Sequence, residues 1–348
     1  MSTLTAEKQP LRHIPDKLST PVRRLLGSWE TLLAAVAIAI FTANSLASPH
    51  FLDPWNLSDA TYNFTEKAMI AFAMTLLIVS GEIDLSVAAI IALASTAMGA
   101  AAQAGFQTPA LVGIGLSVGL LCGAFNGLLV AHIGLPSIVV TIGTMSLFRG
   151  IAQIVLGDQA YGGYPSSFAW FGQGYMSDFS WWPIIPGLEV VTFEIVAFLV
   201  FALLFGILLH RTIFGRWIYA IGNNAFAAQF SGIPVQRTKF ILFLLTGVMS
   251  GVAAVCLTSR LGSTRHTIAA GWELEVITMA VLGGVSILGG SGSIPGVVLA
   301  AIVMGLVTFG LGLLNVPGIV MSIFIGLLLI LVIALPMVVR RIRSRSAT

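Results

Sequence analysis

Few charged side chains lie inside the apolar stretches of this 348-residue sequence. Glu82 and Asp84 occur in SGEIDLSVAA, at a junction of two apolar runs, and Arg149 occurs in GTMSLFRGIAQ. An ionisable group inside a membrane span is by default a candidate for a substrate or ion pathway. Two interpretations stay open: Asp84 either caps the following helix or belongs to a gate, and Arg149 either pairs with an acid or lines a pathway. We therefore take Glu82, Asp84 and Arg149 as candidates for a pathway or gate.

Motifs for catalysis, for metal binding and for nucleotide binding are absent from the sequence. The histidines show no HExxH or other metal-ligand spacing, and no GxSxG occurs. No GxxxxGK[ST] occurs, so the chain has no P-loop of its own for ATP. The stretch GGVSILGGSGSIPG (283–296) has no lysine, which favours a tight turn with close helix packing over a phosphate site. We expect no metal, no cofactor and no enzymatic activity in this chain.

The composition indicates an all-α protein that crosses a membrane several times. Hydrophobic residues make up 57% of the sequence and charged residues only 9%, whereas a soluble domain carries roughly 25% charged residues. Such a chain cannot cover a water-facing surface, and membrane lipid is its expected surrounding. Cys122 and Cys256 lie inside apolar runs, where we expect small hydrophobic residues and no disulfide. The net charge of +3 does not indicate a nucleic-acid partner.

Apolar runs of about 20 residues predict about ten transmembrane helices. The predicted spans are 31–49, 66–81, 85–104, 110–131, 137–156, 189–209, 239–258, 273–289, 295–314 and 318–339. The predicted domains are an N-terminal segment (1–30), a transmembrane domain (31–339) and a basic tail (340–348). Bases cluster in both terminal segments and around residues 211–238, so the positive-inside rule predicts that all three are cytoplasmic. Glu194 is expected near the outer end of its span, reaching to the interface.

Residues 211–238, which connect two apolar runs, are unusually long and polar for a passive connection. Within them, NNAFAAQFSGI (223–233) predicts a short helix that Asn223 or Asn224 caps and Gly232 ends. Such a helix must lie on the membrane surface or dock in a partner's groove. Its small residues, which permit close approach of another backbone, are Ala227, Ala228 and Gly232.

Two bases depart from the charge distribution of the other loops. Arg260 and Arg265, in TSRLGSTRH, fall on the predicted outer side. They either steer the docking of an acidic partner surface or are solvated loop charges. Ionisable groups are sparse near the predicted midplane, which argues against an ion-driven carrier. A transporter with neither coupling carboxylates nor an ATP site must take its energy from another subunit.

Several stretches together resemble the membrane subunits of ABC sugar importers of the ribose, arabinose and rhamnose type. They are SGEIDLSVAAIIAL, GLPSIVVTIGTMSLFRG, FGRWIYAIGNNAFAAQFSGI, SRLGSTR and VLGGVSILGGSGSIPG, in family order across about residues 55–335. The tail, from GWELEVITM to GLGLLNVPGIVMSIFIG, is most similar to rhamnose-type permeases, with an autoinducer-2 permease as the close alternative. The sequence departs from the family at Glu82 and Ala88, where glycine is more common.

The resemblance implies a type II importer-like fold in the bacterial inner membrane. It implies three kinds of protein partner: cytoplasmic ATPase subunits that hold ATP, a second permease, the same or different, and a periplasmic protein that delivers a neutral sugar. In this family the loop between the sixth and seventh spans carries a coupling helix, which maps onto Asn223 to Gly232. The implied coupling residues are Asn223, Asn224, Ala227, Ala228, Ser231 and Gly232, and Arg260 and Arg265 are candidates for docking the binding protein. The alternatives are a secondary carrier or facilitator, and a membrane enzyme.

Overall fold

The computed structural model describes residues 29–183 and 188–318, and beyond them residues 320, 321, 323, 324, 326, 327 and 330. Almost all of the predicted N-terminal segment, most of the last predicted span (318–339) and the basic tail lie outside the described residues. Within the described part the chain is helical, and β-structure is limited to two isolated bridges, one of which joins Tyr161 to Thr264.

Six helices form the first half of the described chain. They are α1 (Trp29–Ala47), α2 (Pro54–Tyr62), α3 (Thr65–Val79), α4 (Val87–Gln103), α5 (Thr108–Gly127) and α6 (Ser137–Leu156). Asp53 caps α2 by accepting the backbone N–H of Trp55 at 2.8 Å. The α2 and α3 axes meet at 43°, and a π-helical turn, Leu128–His132, extends α5.

Seven helices follow the loop after α6. They are α7 (Trp170–Gln173), α8 (Phe193–Arg211), α9 (Ile213–Asn223), α10 (Ala225–Phe230), α11 (Val235–Leu261), α12 (Trp272–Leu282) and α13 (Ile294–Leu313). Thr192 caps α8 by accepting from the N–H of Ile195, and Gly262, with φ of +59°, ends α11 in the left-handed region.

Six helices in the described part are long and apolar enough to cross a membrane, and the bent pair α2–α3 makes a seventh if it counts as one span. The six are α1, α5 with its π-helical turn, α6, α8, α11 and α13. The helix at the predicted span 273–289 ends at Leu282, because glycines follow it, and its 11 residues reach only about 16 Å. The count of ten spans and the cytoplasmic placement of the termini stay predictions.

Helix α3 is the centre of the bundle. Every residue of α3 except Lys67 is buried, because α8, α11, α12 and α13 pack around it. A helix that is apolar on all sides belongs in the interior of a protein. Cys122 and Cys256 are buried and free, which confirms the expectation of small hydrophobic residues. The ends of α3 therefore lie where several elements meet, and charged side chains lie at its start and in the turn that follows its end.

Helices α5 and α11 pack with their backbones in direct contact. A Cβ atom on Gly119 would lie 2.4 Å from the Gly247 carbonyl oxygen, and one on Gly123 would lie 2.5 Å from the Phe243 carbonyl oxygen. Glycines four residues apart on both helices create this approach, as is common between membrane helices. We call this contact the glycine seam, formed by Gly115, Gly119 and Gly123 with Gly247 and Gly251. No side chain separates the two helices along the seam.

Candidate functional site

The coupling segment, residues 211–238, folds into α9 and α10 between the long helices α8 and α11. Asn224 caps α10: its Oδ1 accepts the N–H of Ala227 at 2.9 Å. Gly232, with φ of +80°, follows the end of α10 in the left-handed region. The predicted short helix between an asparagine cap and Gly232 is therefore confirmed, although α10 is shorter than the stretch 223–233. Asn223 instead belongs to the end of α9.

The outer surface of α10 is apolar and aromatic. Phe226 is 71% exposed and Phe230 78% exposed, and their ring centroids lie 4.7 Å apart. Ala227 is also exposed, whereas Ala228 is buried against the rest of the chain. Reasoning from the sequence missed the two phenylalanines, and their spacing of four residues on a capped helix was the available signal. Two exposed rings on so short a helix form a surface suited to burial against a partner.

A cleft of about 170 Å³ lies beside α10, where the chain turns into α11. It is lined by Gln229, Ile233, Pro234, Val235, Gln236 and Arg237. The lining combines apolar side chains with one guanidinium and two amides. Apolar rings next to a cleft with a polar rim match the general anatomy of a protein–protein interface.

The end of α9 lies against the end of α3. A Cβ atom on Gly222 would lie 1.8 Å from the Val79 carbonyl oxygen and 2.5 Å from the Gly290 nitrogen. The N–H of Gly290 donates to that same carbonyl of Val79 at 2.9 Å. Tyr219 Oη donates to the Gly292 carbonyl oxygen at 2.7 Å. The coupling segment is thus fixed, by backbone contact, to the end of α3 and to the glycine-rich loop before α13.

Residues 80–86, which we call the junction turn, link α3 to α4 and hold both predicted acids. Glu82 forms an ion pair with Lys239 of α11. Asp84 is fully buried, and its Oδ1 accepts from the backbone N and the Oγ of Ser86 at 2.8 and 2.7 Å. Asp84 thus orders the turn before α4, but the N-cap residue of α4 is Ser86, so the prediction that Asp84 caps this helix is wrong. A gating role for Glu82 or Asp84 stays a prediction.

Arg149 lies on α6, and no acid of the described residues forms an ion pair with it. Its Nη1 donates to the carbonyl oxygen of His266 at 3.0 Å, in the loop after α11. On the same helix, Ser146 and Gln153 are exposed on the side opposite the buried core positions. Polar groups on the outward side of a spanning helix are costly when they face lipid. This side of α6 is therefore a candidate contact for a second subunit or for solute.

The opposite end of α3 carries an ion pair whose carboxylate is buried and whose guanidinium is partly buried. Arg260 Nε and Nη2 donate to the Oε1 and Oε2 of Glu66 at 3.0 and 2.8 Å. The Arg260 guanidinium also lies 5.6 Å from the centroid of the Tyr62 ring. Arg265, in contrast, is exposed. Arg260 thus has an intramolecular partner, and the docking of a binding protein through Arg260 and Arg265 stays a prediction.

Glu194 lies beside this ion pair and is enclosed by the protein. Its side chain is fully buried, and its Oε2 accepts from the Thr65 hydroxyl at 2.9 Å. The expectation that Glu194 extends to the interface is therefore wrong. The physical reason is that the start of α8 packs against the start of α3, which covers the carboxyl group. Two buried carboxyl groups, Glu66 and Glu194, thus accompany the single guanidinium of Arg260.

Hydroxyl groups join α4, α11 and the loop after α6 near this end. Ser95 Oγ lies 2.6 Å from Thr264 Oγ1, and Thr258 Oγ1 donates to Ser95 Oγ at 2.7 Å. Tyr164 Oη lies 2.6 Å from Thr264 Oγ1. Ser95, Thr258 and Thr264 are fully buried. The loop after α6 is therefore tied to the helices by a connected hydrogen-bond network. Among the described residues, no group of His, Cys, Asp or Glu side chains is arranged to hold a metal ion.

Comparison with known proteins identifies a family of permeases. A family model described as "Branched-chain amino acid transport system / permease component" matches residues 56–333. The autoinducer 2 import system permease protein LsrD of Salmonella typhimurium (strain LT2) is 37% identical over 312 residues, which are 88% of this chain and 90% of the relative. LsrD of Yersinia enterocolitica is 38% identical over 311 residues, with the same coverage. LsrD of Klebsiella pneumoniae is 35% identical over 316 residues, 89% of this chain and 92% of the relative. No solved structure matches the chain.

The family match covers most of the chain and includes the stretches on which the resemblance rested. It spans the junction turn, the coupling segment and α13, and the described helices include several that can cross a membrane. The resemblance to ribose- and arabinose-type permeases is confirmed, whereas a rhamnose-type specificity is not. The chain belongs to this permease family, as the membrane subunit of an ABC sugar importer in the bacterial inner membrane.

Proposed function

We propose that this chain is one of two permease subunits of an ATP-driven importer, and that α10 docks onto cytoplasmic ATPase subunits. The observation that carries the proposal is the exposed pair Phe226 and Phe230 on a capped helix between two spanning helices. Burying exposed aromatic rings is among the largest single contributions to a protein interface. Asn223, Asn224, Ala227, Ser231 and Gly232 surround this pair or shape its helix, and Ala228 packs it onto the chain.

The energy for transport comes from the partner in this proposal. The sequence contains no P-loop, so ATP is bound on the ATPase subunits. The bases around residues 211–238 favour a cytoplasmic position for the coupling segment. The opposite end then faces the periplasm, where exposed Arg265 is a candidate to meet an acidic surface of a binding protein.

The solute that we propose is autoinducer 2, with rhamnose as the second candidate. The sequence motifs favoured rhamnose, but the relatives that match nine-tenths of the chain carry the autoinducer 2 import name. The sparse charge within the helices suits a neutral solute. We place its path along the outward side of α6, where Ser146, Arg149 and Gln153 offer hydrogen-bonding groups. Glu82 and Asp84 remain candidates at the cytoplasmic end of that path.

The docking proposal is tested by replacing both phenylalanines with serine in the tagged chain. We expect the unaltered chain to bring down a P-loop ATPase from detergent extracts, and Phe226→Ser with Phe230→Ser to lower the recovery at least about tenfold. Phe106→Ser, which removes an exposed ring just after the other end of α4, is the matched control and should not change the recovery. Ala227→Arg should reduce recovery as well, because it places a charge between the rings.

Uptake measurements decide the remaining alternatives. Cells that produce the whole system should take up autoinducer 2 in preference to rhamnose, with each solute tested as a competitor of the other. Preferential uptake of rhamnose would reverse the assignment of the solute. Transport by vesicles that contain this chain alone would show a secondary carrier, and it would leave the exposed rings of α10 without a role in coupling.

A further inference from the structure

We propose that the ion pair between Glu82 and Lys239 transmits movement of the coupling segment to the junction turn, so that transport depends on this charge pair. The inference rests on the proposed function, because it requires an ATPase that moves α10. It goes further in naming the residues through which that movement reaches the helices. Both side chains are partly buried, with 13% of Glu82 and 20% of Lys239 exposed.

Two attachments, one to the last residue of α3 and one to the junction turn that follows it, lie on either side of α10 in the chain. Before α10, Gly222 at the end of α9 contacts the carbonyl of Val79, which directly precedes the junction turn. After α10, Lys239 in the second turn of α11 binds Glu82 within the junction turn. A displacement of α10 therefore reaches the junction turn from both sides. The first attachment is a backbone contact, and the second depends on opposite charges.

The ion pair has no substitute among the described residues. Within 4.0 Å, Glu82 and Lys239 are each other's sole oppositely charged partner in the described part of the chain. A partly buried charge has already lost part of its hydration. When its partner is removed, that cost is no longer offset by the attraction between the two charges. Removal of either charge should therefore detach α11 from the junction turn, while the contact between Gly222 and Val79 remains. The coupling segment would then move with only one of its two attachments.

The junction turn also contacts the helix that carries the outward polar side chains. The N–H of Ile83 approaches the Ser137 hydroxyl at the start of α6 at 3.4 Å. Asn126 Nδ2 of α5 donates to Ser86 Oγ at 2.8 Å, and Ser86 in turn binds Asp84. The turn is therefore in contact with α5, α6 and α11, and α9 contacts Val79 directly before it. A change in its position has a direct route to α6, along which we place the solute path.

The test is a charge exchange in the assembled importer, with solute uptake and ATP hydrolysis measured together in proteoliposomes. Glu82→Lys and Lys239→Glu, each alone, should lower uptake per ATP hydrolysed between about threefold and thirtyfold. The double exchange should restore at least half of the original ratio, because it recreates the pair with reversed polarity. ATPase recovered with each variant should equal that of the unaltered chain, since Phe226 and Phe230 are intact.

A second ion pair in the chain provides the control. Lys67 and Glu275 lie 2.6 Å apart with similar burial, at the opposite end of α3. Exchange of these charges should leave uptake per ATP hydrolysed unchanged. If Glu82→Lys does not accumulate in the membrane, Glu82→Gln removes the charge without introducing a like charge, and the same fall in ratio is expected.

Three outcomes would overturn the inference. They are a normal ratio in the single variants, a double exchange that does not rescue it, or an equal fall in the Lys67 and Glu275 variants. Failure of the proposed function gives a different result, because no ATPase would then be recovered even with the unaltered chain.

Discussion

The two ends of α3 are held by different kinds of contact. At the end near the coupling segment, the backbones of Gly222 and Gly290 contact Val79, and one ion pair joins Glu82 to Lys239. At the opposite end, the partly buried ion pair of Arg260 with Glu66 and a network of hydroxyl groups connect the helices. Thus main-chain packing dominates at one end of the same helix, and directional side-chain bonds dominate at the other.

The difference indicates a division of mechanical roles. Backbones in van der Waals contact leave no flexible side chain between them, so displacement of one is passed directly to the other. A buried side-chain network instead holds one arrangement, because each broken bond leaves a buried polar group unsatisfied. We interpret the end near the coupling segment as the part that moves with a partner. The opposite end is then the fixed part against which it moves.

The largest effect is expected at the fixed end, from Arg260→Met. Methionine keeps much of the apolar volume but leaves the buried carboxylate of Glu66, close to Glu194, without its hydrogen-bonded guanidinium. We expect a loss of about 3 to 5 kcal/mol of stability, measured as a lowered apparent melting temperature in detergent. Arg265→Met is the control, and its effect should stay within about 0.5 kcal/mol. Equal effects of the two variants would show that the ion pair does not hold this end.

A somewhat smaller loss is expected from Gly222→Ala at the moving end. The added Cβ would overlap the carbonyl of Val79 and press on Gly290, so the segments must separate. We expect a loss of about 3 kcal/mol, together with reduced uptake per ATP hydrolysed. Gly206→Ala, inside α8, meets only the side chain of Ile294 at 4.0 Å and should be neutral or slightly stabilising. Apparent melting temperatures in detergent measure both variants. A Gly222→Ala protein as stable as the unaltered chain would contradict the contact between Gly222 and Val79.

The smallest effect is expected from Thr264→Val in the hydroxyl network. Valine keeps the shape but removes the oxygen that meets Ser95 and Tyr164, at a cost of about 1 to 2 kcal/mol. Thr308→Val is the control, because the Thr308 hydroxyl binds only a carbonyl of its own helix. Uptake per ATP hydrolysed should not change in either variant. If Thr264→Val changed the uptake per ATP hydrolysed, the distinction between a fixed and a moving end of α3 would be wrong.

Hydropathy predicted most helices because each apolar run is a local signal. The predicted span 137–156 coincides with α6, and 295–314 differs from α13 by one residue at each end. The prediction was less good at 273–289, where the run stays apolar while its glycines end the helix at Leu282. Hydropathy measures transfer to lipid, and it does not register that glycine and serine disfavour a helix.

In the candidate site, too, features that depend on neighbouring residues could be predicted from the sequence, and contacts between distant residues could not. Asn224 and Gly232 could be recognised because a cap and a helix end depend on neighbours in sequence. The partners of Glu82 and Arg260 could not, since Lys239 is 157 residues from Glu82 and Glu66 is 194 residues from Arg260. A lone sequence contains no signal for such pairing. Glu194 was misplaced for this reason, because its burial depends on α3 and not on its own helix.

The glycine seam between α5 and α11 has a consequence at the level of the gene. Every missense change of one nucleotide in a glycine codon encodes a residue with a β-carbon. At Gly119, Gly123 and Gly247 that carbon would lie within 2.5 Å of a carbonyl oxygen of the other helix. We therefore expect that no single-nucleotide missense change in these three codons is tolerated. In a library of random point mutations, the seam should be depleted of variants as strongly as any site that contacts a partner.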